Sequence, residues 1–230
     1  MSQKTNMSKP QTIIRAVLTT LLFLALIFIP AGTLNWPEAW IFILLYISIV
    51  SGVLLWLNKT SPGLLKERMA PKKESKKWDK IIMMTYTLLV VGLIVVSGLD
   101  AKRFGWTDAS LLAKVLGFLG YLPALGFAFW SMLENAYASN VVRIQEDRGH
   151  RVCTTGPYRF VRHPMYVGVI LAVICIPLSL GSYYALILSA LVIILFIIRT
   201  SLEDKALQEE LPGYKDYAQK VRYRLFPGIW

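Results

Sequence analysis

Residues 165–198 read MYVGVILAVICIPLSLGSYYALILSALVIILFII, a run of 34 residues without one charged side chain. As a single helix the run would reach about 51 Å, far beyond a hydrocarbon core of about 30 Å. Pro177, Ser179, Gly181 and Ser182 sit near its middle. Proline removes a helix donor and glycine favours a turn, so the run reads as two helices of a membrane hairpin. The first limb is short for a full crossing.

Outward from this run, four more uncharged stretches follow the same logic: 16–37, 39–58, 81–99 and 115–133. The expected fold is therefore all-α, a polytopic membrane protein of about six transmembrane segments whose last two form the hairpin. Composition agrees. Of 230 residues, 55% are hydrophobic and only 17% charged, against about 25% charged in an average soluble domain. Mean hydropathy is +0.51. Such a chain is too apolar to be disordered, and two cysteines, Cys153 and Cys175, make no disulfide scaffold. The first stretch is expected to be retained rather than cleaved, because Ile29-Pro30-Ala31 is a poor small-residue cleavage site.

The formal net charge is +11. Its distribution gives it an orienting role. The N-terminal flank, the loop 58–80, the segment 134–164 and the tail after 198 hold 22 of the 25 Lys and Arg, and the loop 100–114 holds the other 3. Alternate loops thus carry nearly all the basic residues, which places both termini in the cytoplasm. A single long helix at 165–198 would put the basic tail outside, so the charge count also supports the hairpin. The basic loops are expected to meet anionic lipid headgroups rather than nucleic acid, and the Lys-rich stretch 72–80 reads as a solvated face. The expected location is a prokaryotic inner membrane.

Several classes are absent from the sequence. It has no internal repeat, no G-x-G-x-x-G following a strand and no phosphate-loop motif. With only His150 and His163, a multi-histidine metal site is excluded, and no metal is expected. No charged residue interrupts the middle of an apolar run, which argues against a proton relay. Gly117, Gly120 and Gly126 read as close helix packing. Trp36, Trp40, Trp56, Trp78, Trp106 and Trp230 read as interface anchors.

The residues capable of chemistry gather elsewhere, in 134–166 and 199–230, both on the expected cytoplasmic side. The string 150–166 is HRVCTTGPYRFVRHPMY, with a turn at Thr154 to Pro157 and a helix start at His163-Pro164. At the other end of the hairpin, Arg199 and Glu203 are four apart and share a helix face. A hairpin returns both ends to one membrane surface, so Arg162 and His163 are expected near Arg199 and Glu203. An acid, a histidine and several arginines around an apolar cleft would suit a charged cofactor. Each has a plainer reading beside that one. His163 alone would be a helix cap, and His150 a solvated loop residue. Arg199 and Glu203 would be a surface salt bridge worth under about 1 kcal/mol. Arg151, Arg159 and Arg162 would bind headgroups. Asn135, Tyr137 and Asn140 would cap the fourth segment.

The string GPYRFVRHPMYVG (156–168), the apolar run and the Arg199-x-x-x-Glu203-Asp204 pair together resemble the isoprenylcysteine carboxyl methyltransferase family, which is itself similar to phospholipid N-methyltransferases. LPGYKDY (211–217) and RLFP (224–227) fit the same pattern. The resemblance covers 134–230 and divides the chain into a four-segment N-terminal region, 1–133, and a methyltransferase region, 134–230. It implies an integral membrane enzyme that transfers a methyl group from S-adenosyl-L-methionine to a lipophilic or lipidated acceptor. By position, His150, Arg151, Val152 and Cys153 would line the cofactor, Tyr158 would lie against it, and His163, Pro164, Met165 and Tyr166 would form a second wall. Glu203 would hold the cofactor's polar end. Arg199 would stand near the acceptor group; an amine acceptor would also need to be unprotonated, with Glu203 or His163 a candidate base. Cys153 stands where an aliphatic residue is usual, Asp204 replaces a second Glu, and an upstream Gln aligns only loosely, at Arg143 or Gln145.

A prenylcysteine-like carboxylate is the acceptor expected first, with a phospholipid amine or a small thiol as alternatives. A carboxylate or thiolate acceptor needs desolvation and alignment more than proton transfer. The competing class is a non-enzymatic lipid-binding or assembly factor, against which the intact set His163, Tyr166, Arg199 and Glu203 argues. A transporter is disfavoured by the lack of paired broken helices. The sequence sets no oligomeric state.

Overall fold

A computed structural model describes residues 9–69 and 75–230. Lys4, and residues 72–74 of the Lys-rich stretch, lie outside the described residues. Those described fold into helices joined by turns and by one long segment, 135–163, and no strand occurs among them. The helices are α1 (Lys9–Ala31), α2 (Pro37–Thr60), α3 (Pro62–Met69), α4 (Lys77–Gly98), α5 (Leu111–Glu134), α6 (Pro164–Leu180), α7 (Ala185–Glu210) and α8 (Tyr214–Lys220). A wider π-helical turn, Leu99–Phe104, prolongs α4.

Four helices are long and apolar enough to cross a membrane: α2, α4 with its π-helical extension, α5 and α7. Two shorter apolar helices accompany them, Val17–Ala31 within α1 and α6. The first is shorter than its uncharged run because the chain leaves the helix at Gly32, whose φ of +69° is left-handed. Many large apolar side chains face outward, Leu22 and Leu55 among them, each more than 70% exposed. Exposure on that scale suits a lipid solvent and not water.

The 34-residue run splits into α6 and α7 at Gly181–Tyr184. Gly181 adopts φ +81° and closes α6 through its N–H to Leu178 O, while Ser182 N–H reaches Pro177 O. Asp100, fully buried in the π-helical turn, fastens this corner. Its Oδ2 accepts from Ser182 Oγ at 2.6 Å and from Thr107 Oγ1 at 2.7 Å.

Helices α5 and α6 form the most extensive helix pair among the described residues. A Cβ at Gly117 would lie 2.4 Å from Ser179 N, and one at Gly168 would lie 2.7 Å from Ala124 O. Only glycine lets those backbones meet. Gly120 faces Cys175 in the same seam, whereas Gly126 has open space around it and takes no part. Trp36 also departs from its expected place. It is buried in the core with Ile27, Phe28 and Ala31 rather than anchored at an interface.

Candidate active site

The start of α4, the end of α5, the start of α6 and the end of α7 come together at one end of the bundle. Polar residues there stand on helix ends, where the backbone still holds them rigidly. Segment 135–163 and the tail 221–230 close over them. The tail is tied by two backbone bonds, Arg162 N–H to Tyr223 O and His163 N–H to Arg224 O, both 2.9 Å.

A cleft opens in this end, and residues from widely separated parts of the chain line it. His150, Arg151, Val152, Cys153 and Tyr158 form one wall, and His163, Met165, Tyr166 and Glu203 form another. Pro164 is not in the lining. It occupies the first position of α6, where its missing N–H has no helical acceptor to serve. Asn135 caps α5 at its C-terminus and also lines the cleft with Tyr137, whereas Asn140 does not.

Glu203 accepts a hydrogen bond from the Tyr166 hydroxyl, and Tyr166 is 4% exposed. The Tyr166 ring stacks on His163, with centroids 5.6 Å apart and planes 11° apart. Ring and acid thus present an aromatic face and a carboxylate side by side. That pairing favours a cationic ligand.

His163 is buried against the fully buried Asp204, with Nε2 3.4 Å from Oδ1 and 3.5 Å from the Tyr214 hydroxyl. Asp204 is the hub of the site. It receives a fork from Arg162 (Nε to Oδ1 2.7 Å, Nη2 to Oδ2 3.1 Å), Arg224 Nε at 3.0 Å, Tyr214 OH at 3.0 Å and Gln208 Nε2 at 2.8 Å. Arg162 also donates to the carbonyls of Val221 and Arg222. The expected neighbourhood of Arg162 and His163 with the end of α7 is therefore present, but its centre is Asp204. Burial, with the Asp204 carboxylate next to it, pushes the Tyr214 hydroxyl well above the usual phenol range.

Arg199 departs from the sequence expectation. It does not line the cleft. It turns toward α4, where its Nε donates to Asp79 Oδ1 at 2.9 Å, and its Nη2 donates to Asn140 O at 3.2 Å. The pair is 4% and 0% exposed, so Arg199 is not the surface partner of Glu203. Its guanidinium instead lies 5.1 Å from the centre of the Tyr166 ring. A charge buried this deeply is held by a nearby opposite charge, and Asp79 supplies it.

His150 completes the loop wall. Its Nδ1 accepts from Gln145 N–H at 3.4 Å, and its ring lies 4.6 Å from that of Tyr137. Burial, and then the charges of Arg148 and Arg143, hold its pKa below the ordinary 6.5. Gln145 is fully buried and is spent on the loop itself, donating to Tyr137 O at 2.7 Å. Arg143 lines the cleft and is forked onto Glu67 of α3, with Nη2 3.0 and 3.1 Å from its two oxygens.

Residues 118–209 match the isoprenylcysteine carboxyl methyltransferase family. The match runs from within α5 to nearly the end of α7. It contains Glu203, Asp204 and both cleft walls, and it leaves Tyr214, Tyr217 and Arg224 beyond its end. The family resemblance drawn from 134–230 is supported over that stretch. The chain is also similar to the uncharacterized protein YpbQ of Bacillus subtilis (strain 168), 39% identical over 62 residues. That alignment covers 26% of this chain and 37% of YpbQ.

Asp79, Glu67, Asp204 and Tyr214 were not among the residues the sequence singled out as site members. Asp79 had one visible signal: it is an acid within a run of lysines, Lys76, Lys77 and Lys80, at the edge of an apolar stretch. Tyr214 stood within LPGYKDY, which fits the family pattern, and Glu67 had no signal.

Proposed function

We propose that this protein is an integral membrane methyltransferase that uses S-adenosyl-L-methionine and methylates a lipophilic acceptor, most simply a prenylcysteine-like carboxylate. One observation carries the proposal. Nine residues selected by sequence as cofactor contacts, from His150 through Glu203, line a single cleft. The family match over 118–209 supports the same reading. We further propose that the cleft faces the cytoplasm and that α1 and α6 lie in the membrane with the four longer helices.

The residues present fit the cofactor. Its sulfonium suits the Tyr166 face beside Glu203, and its polar ends suit the backbone and side chains of 150–153. When bound, it would supply a methyl group open to in-line attack. Glu203 holds cationic charge in place, and the Tyr166 hydroxyl aims Glu203. Asp204 and Tyr214 fix the His163 ring so that it walls the cleft in one orientation. Arg199 would reach an acceptor carboxylate only by leaving Asp79, so in this geometry it positions Tyr166 from behind. An acceptor carboxylate, already an anion, would need no base, so the chain's part would be to hold cofactor and acceptor and to exclude water. A dry, apolar approach from the lipid side strengthens the attack by stripping water from the carboxylate.

The test is transfer of labelled methyl from S-adenosyl-L-methionine by the protein in lipid. A farnesylcysteine analogue, phosphatidylethanolamine and an alkyl thiol are offered separately. Label in the farnesylcysteine analogue, lost in Glu203→Ala, is the expected result. Label in another acceptor would move the substrate assignment. Absence of both label and cofactor binding would overturn the reading in favour of a non-enzymatic lipid-binding protein.

A further inference from the structure

The loop wall 150–152 has a second face. It borders a groove shared with Thr154, Arg159 and the start and end of α8, which adjoins the cleft through His150, Arg151, Val152 and Tyr217. Three cations border this groove, Arg151, Arg159 and Lys220, against one acid, Asp216. All three cations are exposed, and none forms an ion pair among the described residues. Their neighbour Arg162 contrasts with them: it is 8% exposed and fully engaged by Asp204 and the tail carbonyls. Arg162 is thus spent on the fold, while Arg151, Arg159 and Lys220 are free of ion pairs among the described residues.

Unpaired guanidinium groups around a concave surface suit an anion with several oxygens, because their planar forks bind phosphate in two contacts. Phe160, directly after Arg159, is 64% exposed, and the apolar helix α6 begins four residues later. A groove at that level sits where headgroups would meet the protein. We propose that this groove is a phosphate subsite, filled by the phosphate of an anionic membrane lipid or of a soluble phosphate ester. The subsite shares Arg151 with the proposed cofactor cleft but rests on Arg159 and Lys220 outside it, and its assay reads lipid retention rather than methyl transfer, so either reading can fail alone.

The full chain is reconstituted in discs of phosphatidylcholine with a minority of phosphatidylglycerol, and retained lipid is counted by native mass spectrometry. The groove variant is R151Q/R159Q/K220Q. The control, K59Q/K66Q/K205Q, removes as many exposed charges elsewhere. Wild type and control are expected to retain phosphatidylglycerol, and the groove variant at least tenfold less. In a second arm, glycerol 3-phosphate is added to detergent-solubilised protein. A rise in melting temperature absent from the groove variant assigns a soluble ester as a source, and lipid retention assigns the lipid. R159Q alone, expected to lose retention severalfold, keeps the test open if the triple variant does not fold. Equal lipid loss in the groove variant and the control, or no effect in either arm, overturns the subsite.

Discussion

Arg199 on α7 and Asp79 on α4, 120 residues apart in sequence, form a buried ion pair with Nε and Oδ1 2.9 Å apart. Asp79 Oδ2 also accepts the Val142 N–H at 2.8 Å, so one carboxylate joins α4, α7 and the loop bordering the cleft. Breaking such a pair from one side leaves an uncompensated buried charge and costs about 3–5 kcal/mol. Asp79→Ala should therefore lower the melting temperature in detergent strongly. A double variant, Asp79→Leu with Arg199→Met, should recover much of that loss, because no orphan charge remains. Equal melting temperatures for Asp79→Ala and wild type would refute the coupling.

Glu203 and Asp204 are adjacent in sequence and should give opposite phenotypes. Among the described residues Glu203 hydrogen-bonds only Tyr166 and otherwise borders the cleft, so Glu203→Gln should leave the melting temperature nearly unchanged. Its effect belongs to binding. Loss of a hydrogen bond to a charged group is worth about 1.5–3 kcal/mol, or roughly 10- to 100-fold in affinity. Calorimetric titration with S-adenosyl-L-methionine measures it. Tyr166→Phe should weaken binding less, by about 0.5–1.5 kcal/mol, since the acid remains and only its aim is lost.

Asp204→Ala, by contrast, strands Arg162 and Arg224 together with the Tyr214 hydroxyl. Removing one partner of a buried pair costs about 3–5 kcal/mol, and here several donors lose their acceptor at once. The variant should express poorly and release the tail 221–230 to protease. Asp204→Asn keeps one acceptor oxygen and should fall between it and wild type. Intact, protease-resistant Asp204→Ala would show that the hub does not hold the tail.

These contrasts also mark what the sequence could disclose. The break in 165–198 was legible because proline and glycine act locally, on backbone geometry. The cleft walls were legible because the string 150–166 and Glu203 carry a family pattern. Asp204 was visible only as a departure from that pattern, since its function as a hub depends on Arg224 and Tyr214, which arrive from the tail. Arg199 was assigned to the acceptor by the family resemblance, and its four-residue spacing only put it on one helix face with Glu203. Nothing in that spacing reveals Asp79, whose approach is set by the packing of α4 on α7. Long-range pairing of charges is a property of tertiary packing and leaves no periodicity to read. The reading of Gly126 as a packing residue failed for a related reason, because which side of a helix meets a neighbour is decided by that neighbour.

His150 predicts the acid limb of binding. Its pKa is depressed, so it is neutral in the folded protein near neutral pH. A base whose folded pKa lies below its unfolded value stabilises the fold fully above the unfolded value and loses that contribution as pH falls through it. The loss should therefore begin near pH 6.5, the ordinary histidine value. Protonation also ends acceptance at Nδ1 from the Gln145 N–H and adds a cation beside Arg148. Cofactor affinity should drop as the pH falls below about 6.5 in the wild type and change less in His150→Gln. Parallel pH profiles for the two would remove His150 from the account.

The glycine seam predicts a graded series in the membrane bundle. At Gly117 an added Cβ would meet backbone, Ser179 N at 2.4 Å, and backbone cannot rotate away. At Gly120 the obstacle is the Cys175 Sγ at 2.7 Å, the end of a side chain that can turn. At Gly126 nothing lies within 4 Å. Gly117→Ala should force α5 and α6 apart, with a penalty of about 1–3 kcal/mol, as for overpacked cores. Gly120→Ala should cost less. Gly126→Ala should be neutral or stabilising, because alanine is the better helix former by about 1 kcal/mol. Melting temperatures in one detergent should rank them 117 lowest and 126 highest. Since α6 begins at the cleft wall His163, Gly117→Ala should also weaken cofactor binding, while Gly126→Ala leaves it unchanged. A reversed order would mean that α5 and α6 are not held together along the Gly117–Ser179 contact.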